Sequence, residues 1–363
     1  MYEYGHGGNA IYESGKENTI DLSANINPFG IPEIVKKAMV CEVSGCDRYP
    51  DSFSVQLREK IAEFEHVNLD WIFCGNGASD IIFRLPRAMY AKKVMITAPA
   101  FSDYERAARS YGADIIRHTL LAADDFTWNS GLIEAVLRSK PNLVFVCNPN
   151  NPTGNITECT LMKDLLDCCR HVGAWLAVDE CFLDFVEQAE EYTGKVFLER
   201  YSNLVIIKAF TKMFALPGIR LGYAICSDAL LINSLYAHGA DWPVSNLAQA
   251  AGIAALESAE HFIKKTVDFV SSERVTVETE LFRLGYKVFP SKANYVFIQS
   301  PYSFDLREEL DKRGIRIRSC GNYHGLDSSY YRIAVSEKSK NIKFLNAITE
   351  ITKFYNRNLL FNS

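Results

Sequence analysis

Between about residue 55 and residue 225, short apolar runs alternate with segments of helical period. "SVQLREKIAEF" brings Val55, Leu57, Ile61, Ala62 and Phe64 close to helical spacing. "WIFCGNG" is a short apolar run that ends in glycines. "KVMITAP" and "LVFVCNP" are runs stopped by Pro99 and Pro149. "YERAARSYGA" and "LMKDLLDCCRHVG" are helical stretches closed by Gly112 and Gly173. "AWLAVDE", "LVIIKAF" and "RLGYAIC" complete the set of strands. Several strands are apolar on both faces, which predicts a mostly parallel central sheet with helices on both sides. In such sheets ligands bind outside the carboxyl ends of the strands. Five of those ends carry polar or special residues: Gly75-Asn76-Gly77, Pro99 to Phe101, Asn148 to Gly154, Asp179-Glu180 and Thr211-Lys212.

Beyond about residue 250 the pattern changes. A long helical stretch covers about 246–284, followed by short strands "YKVFP" and "NYVFIQ". A helix near 304–313, strands "GIRIRSC" and "YYRIAV", and an amphipathic helix from about 338 follow. This predicts a smaller α+β domain over 251–363 beside a large α/β domain over 46–250. Residues 1–45 lack a strong pattern and are expected to pack on the small domain. Pro86 interrupts the helical "SDIIFRLPRAMY", so a kink or an early stop is expected there.

Composition narrows the function classes. The 363 residues are 48% hydrophobic and 23% charged, ordinary for a globular chain, with a net charge of −5. That charge gives no general affinity for nucleic acid or acidic membranes, so an anionic ligand needs local arginines. Ten cysteines lack CxxC pairs or metal-ligand spacing, which predicts reduced thiols in a cytoplasmic protein and no metal site. The first residues do not read as a secretion signal, and no apolar run is long enough to span a bilayer.

The strand ends suggest chemistry. A lysine in a dry crevice loses charge stabilisation and can condense with an aldehyde; Lys212 lies just past its apolar run, whereas its rival Lys208 lies within it. Taken singly, Lys212 also reads as a surface lysine. Arg220 offers a planar fork for a phosphate. "CGNGAS" offers helix N–H groups for the same phosphate, or is simply a tight turn. Asp179 suits a protonated ring nitrogen, or a helix cap. "NPNNPTG" suits a phenolic oxygen, or a turn. A phosphate, a pyridinium nitrogen, a phenolic oxygen and an aldehyde carbon together describe pyridoxal 5′-phosphate.

"NPNNPTG", "VDE" and "TKMFALPGIRLGY", in that order and spacing, resemble the aspartate-aminotransferase-like (fold type I) pyridoxal-phosphate enzymes over nearly the whole chain. The resemblance implies that Lys212 bonds the cofactor's aldehyde and later moves protons at the substrate's α-carbon. It implies that Asp179 keeps the ring nitrogen protonated, Asn151 binds the ring oxygen and Phe101 stacks on the ring. Asn76, Gly77, Thr211 and Arg220 would hold the phosphate. Tyr49, in "RYPD", would reach the phosphate of a neighbouring subunit, implying a homodimer. Arg332 would bind the substrate carboxylate.

"GHGGN", "DLSANINPFG" and "IRIRSCGNYHGLDSSYYRIAV" further resemble the threonine-phosphate decarboxylases of cobalamin biosynthesis. This implies that His6, Asn25 and Arg318 form a second anion site. It implies decarboxylation of L-threonine O-3-phosphate to (R)-1-aminopropan-2-ol phosphate and CO₂. Phe182 fits that branch, because the aminotransferases usually carry a tyrosine there. The alternatives are O-phospho-L-serine as substrate, a histidinol-phosphate aminotransferase, and a non-enzymatic regulator on the same fold. "RIR" on one strand predicts Arg316 and Arg318 on one face, with one of them solvated. Two departures stand out: Ala209 replaces a hydroxyl residue, and Ala78 replaces an acidic one.

Overall fold

The computed structural model describes Gly8 and residues 19–361, with side chains as far as Asn356. β1 (Ile20–Asp21) comes first, and it pairs in parallel with a late strand, Ile20 opposite Ile315 and Asp21 opposite Arg316. The main sheet is built from β2 (Ile72–Gly75), β3 (Lys93–Ala98), β4 (Asp114–Thr119), β5 (Leu143–Cys147), β6 (Trp175–Asp179), β7 (Leu204–Ala209) and β8 (Gly222–Ile225). Their spatial order is β2-β8-β7-β6-β5-β3-β4. β4, β3, β5, β6 and β7 pair in parallel, while β8 runs antiparallel to both β7 and β2. β2, β5 and β7 are buried along their whole length, as the continuous apolar runs require.

This topology positions the site. β2 opposes β8, and β8 opposes β7, so β2 points the same way as the parallel strands. The carboxyl ends of β2, β3, β5, β6 and β7 therefore open on one edge. The start of β8 lies on that edge too, which brings in Arg220, two residues before the strand. The sheet is an α/β fold type I core. The helices Val55–Glu65, Gly77–Ala88, Ser102–Tyr111, Ser130–Ser139 and Cys159–Val172 connect or cover its strands.

The second sheet contains β9 (Lys287–Phe289), β10 (Tyr295–Gln299), β12 (Arg318–Ser319) and β13 (Tyr330–Ala334), in the order β12-β13-β10-β9 and antiparallel throughout. β11 (Ile315–Arg316) leaves this sheet to pair with β1. No helix among the described residues is long and apolar enough to cross a membrane.

Four expectations need amendment. The helical stretch over 246–284 is two helices, Asn246–Glu257 and Ala259–Arg283. Ser258 (φ −113°, ψ 9°) ends one and opens the other. "GIRIRSC" is two short strands in different sheets, so Arg316 and Arg318 do not share a strand face. Arg316 is not solvated: its Nε donates to Asp311 Oδ1 at 2.6 Å. At Pro86 the helix runs on for two residues and ends at Ala88. β4 and the helices Glu33–Glu42 and Ser130–Ser139 had no clear signal. β4 is an outer strand with exposed ends and only half-buried residues between them, so its sequence, "DIIRHT", lacks a continuous apolar run.

Candidate active site

The strand-end edge borders an open cleft of about 650 Å³, the solvent at its mouth included, lined by residues that include Phe101, Asn151, Asp179, Thr211, Lys212 and Arg220. Lys212 lies in the short helix Phe210–Met213, which begins directly after β7. Burial lowers the Lys212 amine, and the nearby Arg332 guanidinium lowers it further; Cys181 and Asp179 oppose, leaving it at about 8. A substantial neutral fraction at physiological pH is what a nucleophilic amine needs.

Asp179 ends β6 and is buried. Its Oδ2 accepts from the Tyr104 hydroxyl at 2.7 Å, and its Oδ1 accepts from the Cys181 N–H at 3.0 Å. These two donors fix the carboxylate's orientation. Tyr104 was not among the expected site residues. It lies three residues beyond Phe101 in "FSDY", a spacing that by itself points to no partner. Its ring also stacks on Phe145 at 5.1 Å.

At the anion end, Gly77 has φ +80°, a conformation that glycine adopts without strain. A Cβ there would stand 2.8 Å from Arg220 Nη2, so the glycine also makes room for the guanidinium. Arg220 itself has φ +59°, a costly conformation for a side-chain-bearing residue and one that often marks a functional position. Gly77 opens a twelve-residue helix whose first N–H groups face this region. The Asn76 N–H is already engaged by Asp80 Oδ2 at 3.1 Å. Asn76 lines an adjoining surface cleft with Arg220 and Trp242. Ala209 and Ala78 both line the main cleft, where hydroxyl and acidic groups were anticipated. Ser79 follows Ala78, and its hydroxyl donates to Asp103.

On the substrate side, Arg332 is buried on β13. Its Nη1 donates to Asn151 Oδ1 at 2.5 Å and its Nη2 to the Ser23 carbonyl at 2.7 Å, while Nε has no partner among the described residues. Asn25 is buried with both polar side-chain atoms unpartnered among the described residues. A buried amide of that kind is costly unless a ligand or water completes it. Arg318 stands opposite Arg332 in the β12–β13 register and does not itself line the Lys212 cleft. It lines a second, basic cleft that shares Phe101 with the first, donates to Asn322 Oδ1 at 2.9 Å and lies over the Tyr323 ring. Phe182 presents its ring 5.5 Å from Lys212 Nζ and its edge to Tyr295. Tyr49 is 80% exposed on the single chain and stacks on Trp242 at 4.4 Å. His6 falls outside the described residues.

Lys208, the rival amine, faces another way. Its Nζ pairs with Glu65 at 2.9 Å and Asp184 at 2.8 Å; burial lowers its pKa, but these partners outweigh burial and raise it well above the usual lysine range. Lys212 is thus the amine with a depressed pKa in a cleft.

The residues present fit pyridoxal 5′-phosphate. A half-buried amine of lowered pKa, a fixed carboxylate and an aromatic ring line one cleft with Arg220, and Gly77 makes room for that guanidinium. Comparison with known proteins agrees. The family described as aminotransferase class I and II matches residues 17–348. The threonine-phosphate decarboxylase of Salmonella typhimurium is 32% identical over 358 residues, covering 97% of each chain. A histidinol-phosphate aminotransferase of Caldanaerobacter subterraneus is 32% identical over 336 residues, covering 91% of this chain and 92% of that one. The crystal structure of the histidinol-phosphate aminotransferase from Clostridium acetobutylicum superposes with a TM-score of 0.86 at 29% identity, covering 92% of this chain and 99% of that one. The chain therefore belongs to the aminotransferase class I and II family, as a pyridoxal-5′-phosphate-dependent enzyme of fold type I.

Proposed function

We propose that the protein decarboxylates L-threonine O-3-phosphate, releasing CO₂ and (R)-1-aminopropan-2-ol phosphate. The observation that carries this reading is Phe182. It sits beside Lys212 and brings no hydroxyl to the place where the aminotransferases usually have a tyrosine. The similarity to the Salmonella enzyme over 97% of the chain supports the same reading.

When bound, the cofactor supplies an electron sink for the pair left on the α-carbon when one of its bonds breaks. The chain's own residues decide which bond that is. Arg332, buried and rigidly held by Asn151 and Ser23, is placed to grip the substrate carboxylate. Asn25 offers an unsatisfied amide nearby in sequence to that anchor's Ser23 contact. Anchoring the carboxylate and a second anion would fix rotation at the α-carbon and so select the bond to the carboxylate. Lys212 is placed to hold a proton and return it to the α-carbon after CO₂ departs. Asp179, oriented by Tyr104, would keep a ring nitrogen protonated, and Phe101 and Phe182 line the cleft beside it. Thr211, Arg220, Gly77 and Asn76 would hold the cofactor phosphate, and Asn151 its ring oxygen. His6 and Arg318 are assigned to the substrate's own phosphate, and Tyr49 to a neighbouring subunit's cofactor.

The test is to incubate the purified holoenzyme with O-phospho-L-threonine, O-phospho-L-serine and histidinol phosphate, with and without 2-oxoglutarate. Release of CO₂ from phosphothreonine without an oxo acid is expected. Phosphoserine differs by one methyl and should react more slowly, by roughly 10- to 100-fold. Turnover of histidinol phosphate alone, and only with 2-oxoglutarate, would overturn the proposal.

A further inference from the structure

We infer that Tyr295, the first residue of β10, is a positioning residue for the reaction: it holds the plane of the Arg332 guanidinium, and through it the choice of the α-carbon bond that breaks. The inference rests on the reading above that Arg332 grips the substrate carboxylate. Tyr295 is fully buried, so it meets no substrate and acts only through its neighbours.

The small sheet brings the two residues together. β10 pairs with β13 so that Phe297 stands opposite Arg332 and Tyr295 opposite Ala334. Side chains two apart on a strand share a face, which makes Tyr295 the diagonal neighbour of Arg332. The guanidinium carbon lies 5.4 Å from the centre of the Tyr295 ring, within cation–π range. The same ring meets Phe182 edge to face, with centroids 5.1 Å apart and planes at 83°. Phe182 in turn stands 5.5 Å from Lys212 Nζ.

The Tyr295 hydroxyl closes a circuit. It donates to the Asn150 carbonyl at 2.8 Å. Burial pushes its pKa well above the ordinary tyrosine range, so it remains a donor at neutral pH. The Gly154 N–H donates to the same carbonyl at 2.6 Å. Next in the chain is Asn151, whose Oδ1 accepts from Arg332 Nη1 at 2.5 Å. Tyr295 thus reaches Arg332 twice, directly through its ring and again through the Asn150–Asn151 backbone. The residues before it dock on the same loop: Ser291 Oγ donates to the Tyr295 carbonyl at 2.7 Å, and the Lys292 N–H to the Gly154 carbonyl at 2.9 Å. A Cβ at Gly154 would collide with Ser291, so these two segments are in close contact. Asn151 and the Ser23 carbonyl fix two guanidinium nitrogens, and the ring fixes the tilt of the plane. A carboxylate held by a planar fork takes its direction from that plane. A changed tilt keeps the charge attraction but spoils the angle, so bond choice suffers more than binding.

The test compares the parent holoenzyme with Tyr295→Phe, Tyr295→Leu and a control, Tyr286→Phe, which loses a different buried hydroxyl, the one beside Thr352. Each receives O-phospho-L-threonine in heavy water without an oxo acid. Two products are counted. CO₂ reports cleavage of the bond to the carboxylate. Recovered substrate with deuterium at the α-carbon reports cleavage of the C–H bond, the proton passing to solvent and a deuteron returning. For Tyr295→Phe, kcat for CO₂ release should fall about 10- to 100-fold while KM stays within about threefold of the parent. Exchange per CO₂ released should rise about tenfold. Calorimetric affinity for 3-(phosphonooxy)butanoate, which lacks the amine, should stay within about threefold for Tyr295→Phe and weaken for Tyr295→Leu, which also loses the ring. Tyr286→Phe should leave the ratio of exchange to CO₂ as in the parent. A constant ratio in Tyr295→Phe, whatever the fall in rate, would mark a merely structural role and overturn the inference. So would an unchanged kcat, or a loss confined to KM. If Tyr295→Leu does not fold, Tyr295→Phe decides alone. A parent that releases no CO₂ defeats the decarboxylase reading by itself. The inference is then tested on α-hydrogen exchange of L-glutamate, the amino partner of 2-oxoglutarate. There a kcat about tenfold lower in Tyr295→Phe at unchanged KM supports it, and unchanged kinetics overturn it.

Discussion

An exposed lysine is protonated at neutral pH, but Lys212 is half-buried, and desolvation together with the nearby Arg332 guanidinium holds its amine down to about 8. The unfolded chain binds that proton up to its ordinary pKa near 10.5. The unfolded state therefore holds more protons between pH 8 and 10.5, and the cofactor-free protein gains stability as pH rises through that window. Below pH 8 the full penalty applies. Replacing Lys212 by Met should thus stabilise the cofactor-free protein at pH 7, by about 3 kcal/mol, and the gain should vanish above pH 10.5. Urea unfolding of both cofactor-free proteins at the two pH values checks this; a variant less stable at pH 7 would contradict it. With cofactor added, the same variant should lack the yellow absorbance of the lysine-bound aldehyde. At this scale the sequence was informative where a residue followed an apolar run directly. Lys212 and Asp179 stood out for that reason. Tyr104 did not, because its function lies in a hydrogen bond to a strand 75 residues away, and that pairing exists only once the sheet is assembled. Arg318 was read as an anion ligand, while its place in a second cleft that includes Phe101 had no signal in the sequence.

Among the elements, β7 carries Lys208 and the short helix Phe210–Met213 that follows it carries Lys212, so the two amines meet different environments. Lys208 points into the apolar layer that contains the helix Val55–Glu65. There, burial works against the Glu65 carboxylate, but Lys208 and Lys195 outweigh it and bring it to about 2. The Tyr223 hydroxyl donates to the same carboxylate at 2.5 Å. Lys208→Met would leave the buried Glu65 and the half-buried Asp184 with a cation removed. Loss of about 3–5 kcal/mol is expected from denaturant unfolding, while the cofactor absorbance is retained; an unchanged midpoint would contradict it. Gly77→Ala tests the anion end of the same sheet edge. The strained φ and the approach to Arg220 should weaken cofactor binding on the order of tenfold or more, measured by absorbance titration of the cofactor-free protein. The continuous apolar strands were readable because burial on both faces demands them. The outer strand β4 and the division of "GIRIRSC" were not, since neither shows a period of its own. The break at Ser258 is likewise silent, because the flanking residues keep a helical composition on both sides.

On the scale of the whole molecule, the single chain leaves Tyr49, Phe53, Val40, Val43 and Trp242 exposed. Tyr49 and Trp242 stack together beside the cleft that contains Asn76 and Arg220. We propose that this face meets a second copy and that Tyr49 reaches its neighbour's cofactor. Sedimentation should show a dimer, which Trp242→Glu should dissociate with loss of cofactor affinity. Tyr49→Phe should leave the dimer intact and weaken cofactor binding alone. A monomeric parent chain with full cofactor affinity would contradict the assignment.

The reaction itself is tested most directly by carbon NMR of the holoenzyme with carboxyl-labelled O-phospho-L-threonine in heavy water, with no oxo acid present. The account predicts labelled bicarbonate, together with an amino alcohol phosphate carrying one solvent deuterium on the carbon that lost the carboxyl group. Label that stays in the amino acid, or appears in an oxo acid only after 2-oxoglutarate is added, would contradict it.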